Sequence, residues 1–488
     1  MAEIAKRPLP YRFAAVLVNA MLKIYFRSID VVGGEWIPRE GPAIFASNHP
    51  NSTVDPFVVG NLAGRKINFM AMSAFFEKKL IAWFLGRCGV IPIHRRQDDP
   101  TKADQNVSTF EAAFRVLERG ETIGIFPEGV THDDLQIRKI KTGAARISLE
   151  AEARNDFHLA VRVIPIGLNY LDKTRFRSDL LINVGEPIEA KAYEETYRRD
   201  PQAAVKAMTE ELQHRLEILI INLEEPGLKR LQRALEEIYL DRLREVAAGS
   251  EGRQGIAEDF TWRKMIADCV NYYAKHDRER VRVVGSQVQR YHRLARRMSV
   301  NNEQLGQHPS PGVRWFTWAK VTVLGVLGFP IALYGTINNY LPYRLAKLAG
   351  MRNPYYRHSG DKTKISIYSL LVGAAAFLIF YPIQGFFVWS AFGNPGAAMY
   401  LLSLPPTGFF ALMYTQRLKV YHRDLYYAML QTKHRRLISL LKKRRDEVLA
   451  TLDAVRMSYM SELRRRREES GGQNPSKTTH SSVPRREA

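Results

Sequence analysis

A histidine and an aspartate, His49 and Asp55, share the segment Phe45-Ala46-Ser47-Asn48-His49-Pro50-Asn51-Ser52-Thr53-Val54-Asp55-Pro56. Histidine takes up and returns protons near neutral pH. A carboxylate bonded to its ring fixes the tautomer and stabilises the imidazolium. The apolar run before Ser47 reads as a buried strand, and a helix start follows the turn. The end of a strand in an α/β sheet is where ligand sites form, so the pair is placed for general-base chemistry. A structural alternative is open at this point. Ser52-Thr53-Val54-Asp55 also fits a capping box, in which Asp55 serves only a helix end and His49 is a surface turn residue.

Two further segments place polar side chains after strands. Gly89-Val90-Ile91-Pro92-Ile93-His94-Arg95-Arg96 delivers two arginines, whose forks match phosphate oxygens. A solvated basic turn has the same composition. Ile125-Phe126-Pro127-Glu128-Gly129-Val130-Thr131-His132-Asp133-Asp134 ends in a polar turn. There Gly129 lets backbone approach a ligand closely, and Glu128 can accept a bond from a substrate hydroxyl. Beyond it Arg138, Lys139 and Lys141 add positive charge before Thr142-Gly143-Ala144. The alternative is a structural turn capped by Glu128. Cys88 and Cys269 lie far apart in unlike contexts, and no spacing suits a metal, so neither a disulfide nor a metal site is expected.

These turns need a scaffold. Ala43–Ala46, Ile123–Phe126 and Val163–Gly167 read as buried strands, and 101–119 and 142–154 between them as helices. Alternating strands and helices predict an α/β domain with a mixed, largely parallel sheet flanked by helices. Val205, Met208, Leu212, Leu216 and Leu219 give 201–223 an amphipathic helical spacing opened by Asp200-Pro201. Residues 226–308 are polar and helical, an accessory region with a Gly/Ser break at 249–255. Residues 417–467 form a basic helical region, and 468–488 read as a disordered tail.

With 72 Lys+Arg against 50 Asp+Glu among 488 residues, the net charge of +22 suits a polyanionic partner, nucleic acid or an anionic lipid surface. Residues 365–416 decide between them, since these 52 positions carry no charge and no histidine. That is enough for two spans of about 20 residues each, at about 366–390 and 397–415, around a turn at 392–396. A second uncharged run, 321–343, contains Pro330 and Pro342. The basic segments 344–364 and beyond Arg417 both belong on the cytoplasmic side. Hence 309–416 is expected to be a membrane region with a C-terminal transmembrane hairpin, and 321–343 a re-entrant or in-plane segment broken at Pro330. Residues 1–27 read as a membrane-surface helix.

Together the segments around His49, Arg95, Glu128 and Val163-Ile164-Pro165-Ile166-Gly167-Leu168 resemble the blocks of the glycerolipid acyltransferase family. That family includes the glycerol-3-phosphate, dihydroxyacetone-phosphate and lysophosphatidic acid acyltransferases. The likeness covers about residues 10–220, with the acyltransferase domain at 28–225. Five residues separate His49 from Asp55. This form, longer than the majority one, and FPEGVTHDD look like the variant of glycerol-3-phosphate/dihydroxyacetone-phosphate acyltransferases. The resemblance implies that His49 is the base and Asp55 orients it. It implies that Arg95, Glu128 and Gly129 bind the acceptor's glycerol phosphate and that Pro165 shapes the donor site. Lys139 and Lys141 are added from charge and position alone.

The expected function is direct acyl transfer from acyl-CoA or acyl carrier protein to glycerol 3-phosphate or dihydroxyacetone phosphate, without cofactor or metal. The expected partners are membrane lipids, the thioester and the acceptor. The expected location is an integral membrane protein with its catalytic domain facing the cytoplasm. Rival readings are a lysophosphatidic acid acceptor, a non-catalytic lipid-binding scaffold, and a nucleic-acid binder. The intact His49, Asp55, Arg95 and Glu128 argue against a scaffold. No nucleic-acid module is recognisable, so no nucleic acid is expected.

Overall fold

The computed structural model describes residues 9–93, 106–132, 135–247, 255–306, 311–354, 357 and 362–469. The chain enters through helix α1 (Leu9–Tyr25) and then builds one sheet. Its strands are β1 (Phe26–Val32), β2 (Ala43–Ser47), β3 (Ile67–Met72), β4 (Ile91–Ile93), β5 (Thr122–Ile125), β6 (Arg162–Tyr170), β7 (Ser178–Val184) and β8 (Ile188–Glu189). The order is β1-β7-β6-β2-β5-β3-β4, with β8 beside β6. From β6 to β4 every neighbour is parallel, β7 runs antiparallel to β6, and β1 follows β7. Strands β2 to β6 therefore end at one edge of the sheet, and the turns carrying His49 and Glu128 emerge together.

Strand β2 lies at the centre, with Phe45 in register with Gly124 on one side and Ile164 on the other. All five of its residues are buried. Side chains alternate across a strand, so one strand feeds two cores. Ile44 and Ala46 pack with helices α4 (Asn106–Glu118), α5 (Gly143–Arg154) and α7 (Pro201–Leu219), which contribute Leu117, Ile147 and Leu212. Ala43 and Phe45 pack on the opposite face with Leu22 of α1 and with Val58 and Val59 of helix α2 (Val54–Leu62). Helix α3 (Lys79–Arg87) follows β3, and α6 (Glu194–Arg199) precedes α7. Helix α7 starts as its sequence requires: Asp200 accepts bonds from the Gln202 and Ala203 amides, Pro201 fills the first turn, and Met208, Leu212 and Leu216 are buried.

A second compact unit comprises Arg230–Glu251, Met265–Gln307 and the chain from Asp424. It holds most of α8 (Lys229–Ala247) and α9 (Ile256–His276), with α10 (Arg278–Arg297) and α11 (Asn302–Gly306). The Asn302 amide donates to the Ile238 carbonyl at 2.9 Å, and its side-chain oxygen accepts from Tyr291 at 2.9 Å and from Arg445 at 3.0 Å. The accessory and C-terminal basic regions, separate in the sequence reading, thus share one unit. The tail from residue 470 and the break at 249–254 lie outside the described residues.

Between these parts of the chain run two long helices, α12 (Pro311–Arg352) and α13 (Ile365–Lys433). Helix α12 continues through Pro330 and Pro342, so the expected break at Pro330 is corrected. A proline removes one helix bond, and neighbouring helices can hold the rod across that gap in an apolar bundle. Helix α13 departs from helical angles at Gly393, where φ is +70°. Among the described residues it is the one helix long and apolar enough to cross a membrane.

Contacts fix how the two helices lie. Near the start of α13, Gly373 leaves room for Ala346, since a methyl group there would stand 3.1 Å from the Ala346 Cβ. Further on, Tyr381 donates to the Asn339 side chain at 2.7 Å and Gln384 to the Asn338 carbonyl at 2.9 Å. Beyond Gly393, Tyr400 donates to the Asn338 side chain at 2.6 Å, Thr407 lies against Gly335, and Tyr414 donates to the Gly325 carbonyl. Both arms of α13 therefore run along α12 in the same sense, one on each half. Between them the chain doubles back: a methyl group at Gly385 would stand 3.1 Å from the Leu401 side chain. Pro382 and the pair Pro405-Pro406 flank this short fold-back.

Candidate active site

Asn48 pins the turn that follows β2. Its amide donates to the Leu168 carbonyl at 3.2 Å, and its oxygen accepts from the Leu168 amide at 2.7 Å, extending the pairing with β6. The chain then turns through Ser52, a non-glycine residue at φ +48°. The Val54 and Asp55 amides bond back to the Asn51 and Ser52 carbonyls, each at 3.1 Å. This turn absorbs the five intervening residues and brings His49 Nδ1 to 2.8 Å from Asp55 Oδ2.

Asp55 is fully buried. Besides the histidine, it accepts from the Asn51 amide at 2.7 Å and from the Tyr170 hydroxyl at 2.6 Å. The helix α2 N-cap, Thr53, makes no side-chain cap bond. Asp55 therefore does not serve the helix entry alone, because the same carboxylate oxygen bonds both the Asn51 backbone amide and the His49 ring. Burial raises the Tyr170 pKa well above the ordinary tyrosine value, and the Asp55 carboxylate raises it further. Tyr170 therefore remains a hydrogen-bond donor to Asp55 at physiological pH.

The imidazole stacks on Phe126, with ring centroids 4.0 Å apart and planes 17° from parallel. Nδ1 is held by Asp55, which leaves Nε2 as the other ring nitrogen, and His49 is among the residues that line a cavity. Glu128 supports the same turn from β5. Its carboxylate accepts from the His49 amide at 3.2 Å and the Arg138 amide at 3.0 Å, and it pairs closely with the His132 ring. Both Glu128 oxygens are thus engaged by protein groups, and what its contacts show is support of the His49 backbone.

The cavity has a volume of about 1900 Å³. Phe57, Phe69, Met70, Phe75, Ile81 and Phe84 give it apolar walls, and Arg12, Lys141, Arg146 and Lys364 line it with positive charge. No carboxylate is among the described lining residues. Gly129 sits at φ +70°, and a methyl group there would come within 2.8 Å of Lys141 Nζ. Lys141 lines the cavity, and Lys139 is exposed and is not among the described lining residues. Arg95 lies outside the described residues. Thr142 and Gly143 at the start of α5 line the cavity, as do Thr363, Lys364, Ile367, Tyr368 and Leu371 around the start of α13.

Sequence reasoning missed Tyr170, Arg146 and the α13 start. Arg146 follows Thr142 by one helical turn, a spacing that could have signalled it. Tyr170 ends β6, parallel to β2, and only the sheet order makes it a neighbour of Asp55. Removing its hydroxyl tests that link. Tyr170→Phe is expected to lower kcat roughly tenfold with KM little changed, about what a bond to a charged group is worth. A loss confined to folded yield would reduce Tyr170 to a packing role.

The model of the acyltransferase family matches residues 28–169. The matched stretch runs from β1 to the end of β6. Glycerol-3-phosphate O-acyltransferase 2 of Saccharomyces cerevisiae is 32% identical, over 42% of this chain and 42% of that protein. Glycerol-3-phosphate O-acyltransferase 1 of the same yeast is 21% identical, over 48% of this chain and 42% of its own length. The chloroplastic 1-acyl-sn-glycerol-3-phosphate acyltransferase of Arabidopsis thaliana is 28% identical, over 30% of this chain and 38% of that protein. The chain thus spans less than half the length of each of these relatives.

Proposed function

We propose that this protein transfers a fatty acyl group from a thioester to a hydroxyl of glycerol 3-phosphate or dihydroxyacetone phosphate. The observation that carries this reading is the 2.8 Å bond between His49 Nδ1 and a buried Asp55 at the wall of a large apolar cavity. His49 Nε2 takes the acceptor's hydroxyl proton as its oxygen attacks the thioester carbonyl. Asp55 holds the tautomer and stabilises the imidazolium. The tetrahedral intermediate collapses, the carbon–sulfur bond breaks, and the thiolate leaves with the proton carried by His49. Backbone amides at the start of α5, beside Lys141, are the donors placed for the developing oxyanion. The phosphate binds among Lys141 and Arg146, with Arg95 as a further ligand. Coenzyme A or acyl carrier protein delivers the chain. The catalytic domain faces the cytoplasm, and the apolar region beyond residue 320 holds it at the membrane.

The cavity volume favours a second acceptor for comparison. About 1900 Å³ exceeds the ~300–1,000 Å³ of an ordinary small-molecule site, so an acceptor already bearing one chain also fits. The test is lipid product formation by the wild-type protein in membranes, with glycerol 3-phosphate, dihydroxyacetone phosphate or lysophosphatidic acid, and acyl-CoA or acyl carrier protein as donor. Preference for either of the first two acceptors supports the proposal. Preference for the third makes the protein a phosphatidic acid synthase. Transfer to none overturns the enzymatic reading.

A further inference from the structure

We propose that α12 and α13 do not cross the bilayer, and that the fold-back around Gly393 enters the acyl-chain layer of a single leaflet. This rests on the reading of the apolar region as membrane-bound. Length and composition alone permit two spans of α13. The argument for a shallower arrangement comes from where the helix ends are held and how far the fold-back reaches.

The start of α13 is part of the catalytic domain. Ile367 packs in the cluster that holds Phe45 and Ile164, and the Ser366 hydroxyl bonds the Lys173 carbonyl. The end of the apolar region is tied at Asp424, which accepts from Gln304 at 3.0 Å. Between residues 226 and 308 no uncharged stretch is long enough to cross a bilayer. Gln304 therefore lies on the same side of the membrane as the catalytic domain, and so does Asp424. Helix α12 begins and ends on that side. A single helix without a reversal, as α12 is, cannot then be a span. Helix α13 also leaves and returns on that side, so it crosses twice or not at all.

The fold-back decides between those two. The arms of α13 lie along α12 up to Gln384 and again from Tyr400, and only the chain between projects away from it. From Gly385 to Phe392 this projection is eight residues, about 12 Å at ~1.5 Å per residue. A hydrocarbon core is about 30 Å thick, so a projection of this length from a helix lying along one face does not cross it. Its chemistry suits that depth. Phe387, Phe392, Met399 and Leu402 are all at least two-thirds exposed. At the tip, the Trp389 indole donates to the Asn394 side chain at 2.6 Å, satisfying within the chain two polar groups that water would otherwise serve.

The test places a single cysteine beside the tip, Ala398→Cys, in a chain with Cys88→Ala and Cys269→Ala. Met399→Cys serves as an independent second position. The protein is reconstituted into vesicles of phosphatidylcholine and phosphatidylglycerol. The tip is labelled with a bilayer-sensitive fluorophore, and its depth is read with nitroxide lipids. We expect the unlabelled cysteine to resist a membrane-impermeant thiol reagent from both faces. The fluorophore should be quenched most by nitroxides in the leaflet facing the catalytic domain. Reaction from the opposite face would establish full crossing and overturn the inference while leaving the protein membrane-bound. Failure to sediment with vesicles, with a freely reacting cysteine, would overturn the membrane reading as well.

Discussion

His49→Ala is expected to reduce acyl transfer by roughly 10³–10⁴-fold with the protein still folded, the scale of a positioned general base. Nothing else along the described cavity wall replaces it. The described wall contains no carboxylate and no second histidine. The ring is 15% exposed and packs on Phe126 at one face, so its removal leaves a modest gap rather than a collapsed core. Product formation is measured with the preferred acceptor and donor beside an unfolding curve. A folded variant that retains more than about a tenth of the wild-type rate would show that proton removal is not the function of His49, since a base contributes at least ~10²-fold.

Asp55→Asn should have a comparable effect for a different reason. Three donors converge on this carboxylate: the His49 ring, the Asn51 amide and the Tyr170 hydroxyl. An asparagine keeps the shape but replaces one accepting oxygen with a donating nitrogen. Either the ring adopts the tautomer with Nδ1 bare, or a buried donor loses its acceptor. The first outcome costs about 10⁴-fold in kcat where the same substitution has been made beside a catalytic histidine. The second costs ~1–3 kcal/mol of stability. Measuring kcat and the unfolding midpoint together separates them, and a variant unchanged in both would remove Asp55 from the mechanism. Because Tyr170 acts through the same carboxylate, Asp55→Asn with Tyr170→Phe should cost less than the product of the single effects.

The strands and the His49 turn were legible because each is local. Ala43–Ala46 is an uninterrupted apolar run, and a strand end followed by a histidine can be read within ten residues. The added residue between His49 and Asp55 was harder to interpret, since Ser52 absorbs it through a left-handed conformation that composition does not reveal. Glu128 was found as a residue, but its contacts were not foreseen, because its partner is a backbone amide 79 positions earlier. Tyr170 lies 115 positions from Asp55 and carries no motif. Only the parallel pairing of β2 with β6 brings them to one edge. Lys139 and Lys141 looked alike in sequence, and local backbone direction sends just one of them to the cavity. The two-part origin of the helical unit was equally hidden, since Tyr239 finds Asp453 across 214 positions.

The cavity wall supplied by Ile367, Tyr368 and Leu371 has a consequence for how the protein is born. Ribosomes add roughly 5–20 residues per second. Leu371 follows His49 by 322 positions, so the proton-transfer pair is synthesised roughly 15–65 s before its apolar enclosure is complete. Once the sheet and α7 are complete at Leu219, the nascent chain carries an unroofed greasy pocket for the rest of that interval. Closing it depends on the start of α13, among the described residues the one helix long and apolar enough to cross a membrane. Completion of the cavity wall and placement of α13 therefore become one late event, and a chain truncated before residue 363 would carry this cavity with an open side.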